Sequence, residues 1–174
     1  MTVAAAERIY SMDRIDFQLL ELLTADARQS IADIAVMVNL TVEEAKSRIK
    51  ALEQEGIIMG YGAVINPERL EDDSVSALIE VRVTPQRNAG FDTIAEQLYM
   101  FDEVRSCYLM SGDYDLMLIV DGKNIKEVSR FVYERLAILD NVQSCSTHFI
   151  LKRYKNSGHV FVKKESDKRM AVSP

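Results

Sequence analysis

The chain has 174 residues, 48% hydrophobic and 28% charged, with no Trp and a formal net charge of −6. That length and balance suit one domain or two small ones with a real core, and exclude a chain too polar to fold. No apolar run approaches the roughly 20 residues that span a bilayer, and "MTVAAAERIYS" lacks the basic start and apolar stretch of a signal peptide, so a cytoplasmic protein with no membrane partner is expected.

After that N-terminal extension, "MDRIDFQLLELLTADA" sets Ile15, Leu19, Leu20, Leu22 and Leu23 at helical spacing. Asp13 is the expected N-cap, and Asp16 in the first turn suits the helix dipole. "SIADIAVMV" predicts a second helix, capped by Ser30, with an apolar face of Ile31, Ile34, Ala35 and Val38. Asn39 tolerates the left-handed conformation of a tight turn. A third helix starts at once: Thr41 and Glu44 have capping-box spacing, Ala45, Ile49 and Leu52 form a buried face, and Gly56 supplies the stop. Two short helices across a tight turn make a helix-turn-helix. "IIMGYGAVIN" then reads as a short β segment or wing. Residues 1–66 hold six Lys/Arg and ten Asp/Glu. An acidic unit weighs against strong non-specific DNA affinity, which comes from Lys and Arg displacing condensed counterions.

"SVSALIEVRV" predicts a strand, "FDTIAEQLYM" a helix, and "VRSCYLM" and "DLMLIV" two strands joined by the Gly-containing turn "SGDYD". "NIKEVSRFVYERLAIL" follows as an amphipathic helix with Ile125, Val128, Phe131, Val132, Leu136 and Leu139 on one side, and "VQSCSTHFILK" closes as a strand. The order β-α-β-β-α-β is the split βαβ, ferredoxin-like arrangement. Both helices on one sheet face leave the other uncovered, so oligomerisation is expected. Cys107 and Cys145 lie inside strand-like runs with neither CxxC nor zinc spacing, and read as small buried thiols in a reducing compartment. No metal or cofactor is expected. Over residues 152–174, seven Lys/Arg face only two Asp/Glu. This basic tail reads either as a small hairpin, with Val160 to Val162 and Met170 to Val172 around "KESDK", or as a disordered segment.

The fold class is therefore α+β: an N-terminal winged helix-turn-helix followed by a ferredoxin-like βαββαβ domain. The boundaries are an extension at 1–11, the helix-turn-helix at 12–59, a β linker at 60–73, a ferredoxin-like oligomerisation domain at 74–152, to which the resemblance below adds effector binding, and a tail at 153–174. From about Met12 to Leu151 this plan, with "MDRIDFQLLELL", "ADARQSIADIAVMVNLT", "SRIKALEQEGII", "GYGAVINP", "SGDYDLMLIV" and "STHFIL" at these spacings, resembles the leucine-responsive regulatory protein/asparagine regulator (Lrp/AsnC) family. The resemblance implies a transcriptional regulator that binds double-stranded DNA and a small-molecule effector, often an amino acid. It also implies a homo-oligomer, a dimer at least, with octamers common in the family.

By that resemblance Val42, Glu43, Lys46, Ser47 and Lys50 face the groove and its phosphates. Arg48 matches an arginine common at this place in the family, and would contact phosphate or brace the helix. Glu43 is compatible with DNA reading because a carboxylate can accept from the cytosine amino group. The resemblance makes Gly112, Asp113 and Asp115 candidates for effector binding, with Thr147 and His148 as further ones. Asp113 or Asp115 would hold an ammonium group, and free amides near Gly112 a carboxylate; alternatively Asp and Gly are there to form the turn. Two other readings stand beside the regulator. Glu43, Glu44 and the acidic balance allow a ligand-sensing or partner-modulating relative that no longer binds DNA. Some relatives of this plan are sirohaem decarboxylases, but only His148 and His159 are available here for such chemistry, and no catalytic motif supports an enzyme.

Overall fold

The computed structural model describes residues 10–70, 73–85 and 90–161, apart from the side chain of Glu68. The chain divides into two compact units, residues 1–64 and 65–174.

The first unit contains helices α1 (Arg14–Ala25), α2 (Ile31–Met37) and α3 (Val42–Gln54). Each begins where a side chain can accept from the otherwise unpaired amides of its first turn: Asp13, Ser30 and Thr41. Asp13 and Thr41 complete reciprocal capping boxes with Asp16 and Glu44. Between α2 and α3 the chain reverses through Asn39, at φ 54°. After α3 it leaves through Gly56 at φ +68°, with the amides of Ile57 and Ile58 both donating to the Leu52 carbonyl. Leu19, Ile34, Val38 and Ile49 form the core, with Ile15, Leu22, Leu23, Leu40 and Ile58 packed around it. Ile31, expected on the buried face of α2, is exposed. Residues 57–66 carry no strand, contrary to the β segment expected there. A ladder needs a partner strand, and the described elements of this unit are helices.

In the second unit β1 (Val75–Val83), β2 (Val104–Leu109), β3 (Leu116–Gly122) and β4 (Val142–Phe149) form one antiparallel sheet in the order β2-β3-β1-β4. Ala77, Ile79, Val81 and Val83 of β1 and Leu116, Leu118 and Val120 of β3 alternate onto one face and are buried. They pack with Ile94 and Leu98 of α4 (Asp92–Tyr99), with Val128 and Phe131 of α5 (Ile125–Phe131), and with Leu136. The helix expected to continue from α5 instead changes pitch, with a π-type stretch over Val132–Leu136 closed by Ala137 N–H to the Val132 carbonyl. Five residues at about 100° each would turn Leu136 well away from Phe131 in a regular helix. The wider turn lets both reach the core. At the other end of the helix Ile125, expected on the apolar side, is exposed.

The opposite sheet face carries Leu78, Glu80, Met117, Ile119 and Tyr108, half-buried or exposed. At one end of it Arg153 donates to the Ser76 hydroxyl, which donates to Asp121, and Arg105 lies 3.5 Å from the same carboxylate. Cys107 and Cys145 are free and only partly buried at the rim of the core, and desolvation pushes both thiols up from their ordinary value. Past β4, two-residue strands β5 (Lys155–Asn156) and β6 (His159–Val160) form a hairpin around Ser157 and Gly158. Gly158 at φ +81° supplies the reversal; the turn expected at "KESDK" lies outside the described residues. Met170 to Val172 lie outside the described residues.

Gly122 marks the closest approach of sheet and helix, since a Cβ there would sit 2.7 Å from Val128 Cγ2. Val128 is buried and its branched side chain is stiff. Gly122→Ala is expected to cost about 1–3 kcal/mol by overpacking, measured by urea unfolding. Adding the same change to Val128→Ala is expected to cost little. Equal costs in both backgrounds would show that the clash is not the cause.

Candidate functional site

The outward face of α3 follows from what its other residues are doing. Ala45, Ile49 and Leu52 are buried, which leaves Glu43, Lys46, Ser47 and Lys50 along the other side, while Val42, in line with Ala45 and Ile49, is exposed at the start of the helix. Glu44 is occupied elsewhere. Its Oε2 accepts from the Thr41 amide at 2.9 Å and the Thr41 hydroxyl at 2.7 Å. Those bonds, the amide first, hold its carboxyl below the ordinary 4.5. Of the two adjacent glutamates, one is therefore a cap and Glu43 alone stands on the exposed face.

Arg48 points away from that face. Its guanidinium lies 2.8 Å from Asp13 Oδ2 and 2.9 Å from Asp16 Oδ1, tying α3 to the start of α1. Asp16 is almost fully buried, and its second oxygen accepts from the Asp13 amide at 3.0 Å. Asp13 is held below its ordinary 3.8, first by the Asp16 amide and then by Arg48. Of the two roles open to Arg48, the geometry gives the brace. The importance of Asp16 was not apparent from sequence, although its spacing to Leu19 and Leu23 places it on the apolar stripe of α1.

The turn between β2 and β3 presents Ser111, Gly112 and Asp113 to solvent. Gly112 has φ +149°, a conformation costly for residues with a Cβ. Asp115 is not free there. Its Oδ2 accepts from the Val83 amide at 2.9 Å, and its own amide donates to the Val81 carbonyl, pinning the turn to the end of β1.

Thr147 and His148 do not join this turn within one chain. Val81 pairs with Leu116 next to the turn, whereas Thr147 pairs with Ile79 and His148 with Leu78, across β1 and further along it. Strand spacing and rise separate His148 from the turn by on the order of 10 Å or more. The two neighbours also point to opposite faces: Thr147 shares the helix-covered face with Ile79, and His148 the open one. There His148 Nε2 lies 3.3 Å from Glu80 Oε1, an ion pair when the imidazole is protonated. A further group was overlooked in sequence. Lys123, Lys126, Arg130 and Tyr133 line an open cleft, and the signal was their i, i+3, i+7, i+10 spacing.

Comparison with known proteins bears on both units. Residues 12–59 match the winged helix-turn-helix DNA-binding model, and residues 76–160 match the Lrp/AsnC ligand binding domain. The chain is 45% identical to the HTH-type transcriptional regulator YugG of Bacillus subtilis over 90% of its length and 95% of the relative's. It is 29% identical to the leucine-responsive regulatory protein of Escherichia coli, over 87% of this chain and 92% of that one. Among solved structures, a transcriptional regulator of Neisseria meningitidis in complex with L-Met superposes with a TM-score of 0.67 at 27% identity, covering 84% of this chain and 94% of the other.

Arg48→Gln is expected to destabilise the helical unit by about 2 kcal/mol, because Asp16 stays buried with one partner gone; part of Arg48 remains in water, which limits the loss. Lys46→Gln, on the exposed face, is expected to leave the urea midpoint unchanged. The reverse ranking would return Arg48 to the DNA face. For pH, Asp13 and Glu44 bind protons less readily when folded. Their contribution is complete above the ordinary values of 3.8 and 4.5, and is lost as pH falls through the depressed folded ones. Helix melting followed by circular dichroism is therefore expected to shift downward below pH 4.5, less so in Glu44→Gln. Equal shifts in both proteins would remove the Glu44 cap from the explanation.

Proposed function

The chain belongs to the Lrp/AsnC family of transcriptional regulators, and we propose that it reads specific DNA sequences through α3 while its C-terminal domain senses an amino acid. The observation that carries the DNA reading is the exposed face of Glu43, Lys46, Ser47 and Lys50, with Val42 exposed at the start of the same helix and Arg48 and Glu44 engaged internally. Lys46 and Lys50 contact phosphates and set the register; Ser47 and Glu43 meet base edges, Glu43 suiting a cytosine amino group. With two cations on this face the grip of one domain is weak, and several linked copies would supply avidity.

The effector site uses the β2–β3 turn. Asp113 is its free carboxylate for an α-ammonium group, and the backbone around Gly112 serves the carboxylate. Asp115 acts by holding the turn to β1. The relative solved with L-Met supports an amino acid as the ligand class. Thr147 and His148 enter the same site only if a second chain brings them to the turn. The uncovered sheet face, with Leu78, Met117, Ile119 and Tyr108, supports a homo-oligomer, at least a dimer. Glu43 favours the second reading, a ligand sensor that no longer binds DNA.

Fluorescence anisotropy with DNA from upstream of the gene, against scrambled DNA over a salt series, tests the reading. Preferential, saturable binding is expected, with the salt slope reduced by about one in Lys46→Gln or Lys50→Gln and affinity modified by an amino acid in wild type but not in Asp113→Asn. A folded oligomer that binds neither DNA at low salt would establish the second reading instead.

A further inference from the structure

Residues 67–151 carry eight Lys/Arg against fifteen Asp/Glu, yet three of those eight, Lys123, Lys126 and Arg130, line a single cleft together with Asn124, Glu127 and Tyr133. The cleft encloses about 360 Å³ and is open to solvent, a volume within the ordinary range of small-molecule sites. Among the described residues, none of the three cations is ion-paired. The one acid present is turned to the backbone: Glu127 Oε2 accepts from the Lys123 amide at 2.6 Å. Asn124 Oδ1 accepts from the Glu127 amide at 3.0 Å. Three cations share the cleft with the single Glu127 carboxylate, and the surplus of positive charge repels itself, a cost that an anion in the cleft reduces. Tyr133, 60% exposed, adds a ring to the same wall.

We propose that this cleft binds a phosphorylated, ring-bearing metabolite of the nucleotide class. Arg130 offers a planar fork to phosphate oxygens, Lys123 and Lys126 act as point charges, and the Tyr133 ring stacks on the base. The assignment is separate from the amino-acid site: its residues lie at and after the end of β3, whereas the effector turn precedes that strand. A small ligand fits better than a DNA backbone because a duplex approaching it would meet the surplus of carboxylates in the same domain.

The test is calorimetric titration of the full chain with ATP and, separately, with inorganic pyrophosphate. One ATP per chain is expected, weakened about tenfold in Lys126→Gln or Arg130→Gln. Tyr133→Leu is expected to weaken ATP severalfold and to leave pyrophosphate unchanged. All three positions are exposed, and thermal melts of each variant verify folding. No ATP binding at low salt, or unchanged affinity in Arg130→Gln, would overturn the site; equal losses for both probes in Tyr133→Leu would overturn the nucleotide assignment. If ATP fails to bind and Arg130→Gln instead lowers DNA affinity, the cleft is a phosphate-backbone contact and the proposal is wrong. Amino-acid titration of the same samples keeps the effector site a separate readout.

Discussion

A carboxylate withdrawn from water costs several kcal/mol unless charge and hydrogen bonds answer it, and the N-terminal unit answers Asp16 from two directions. One oxygen takes the Asp13 amide and the other takes Arg48 from α3. Because Arg48 lies at the edge of α3's buried face, satisfying Asp16 fixes how α3 is rotated about its own axis. A roll by one residue would draw the guanidinium away and leave the acid unpaired. The apolar pattern of Ala45, Ile49 and Leu52 brings α3 to the core, but apolar contact is non-directional. The ion pair selects one rotation, and with it the residues that face outward. Asp13 serves both ends of this arrangement, capping α1 and completing the seat of Arg48.

The second unit is governed by a different constraint, a sheet with a core on one face only. Strict alternation along β1 and β3 puts seven side chains under α4 and α5. Close packing then demands small adjustments, among them a glycine at the end of β3 where Val128 passes, and a widened turn that keeps Phe131 and Leu136 on the same side. The same alternation sends Leu78, Met117 and Ile119 to the other face, together with Glu80 and its partner His148, and Arg105, Asp121 and Arg153 lie at one end of it. An apolar centre with a charged border is the usual composition of a subunit interface.

How much of this was legible in the sequence depends on the distance over which each interaction acts. The caps at Asp13, Ser30 and Thr41 act within three residues, and the positive-φ positions Asn39 and Gly56 within one, so residue type was enough to identify them. The four strands of the large sheet were legible from β-branched runs and the order of the ferredoxin-like domain from their succession. Arg48 was ambiguous because its partners are 32 and 35 residues away. The hold of Asp115 on β1 was hidden for a similar reason, since the Val83 amide it accepts from is 32 residues distant. The pitch change after Phe131 was hidden because a stripe containing Phe131, Val132 and Leu136 fits either helix type. The pairing of Thr147 and His148 as joint candidates overlooked an alternation that any strand imposes.

Charge summed over a segment is likewise a poor guide to what a partner meets. The acidic total of residues 1–66 counts Asp13, Asp16, Glu44 and Arg48 as though each were available, whereas these four are committed to one another or to a cap. The exposed face of α3 carries Lys46, Lys50 and Glu43, a net excess of one cation in an otherwise acidic unit. Such a face would gain little from counterion release, so under the DNA reading proposed above discrimination between sequences would rest on base contacts and on linked copies. The same reasoning applies to the second unit. Its surplus of acids coexists with three cations in one cleft that pair with no acid among the described residues, and the local arrangement, rather than the sum, determines which ligand each surface can hold.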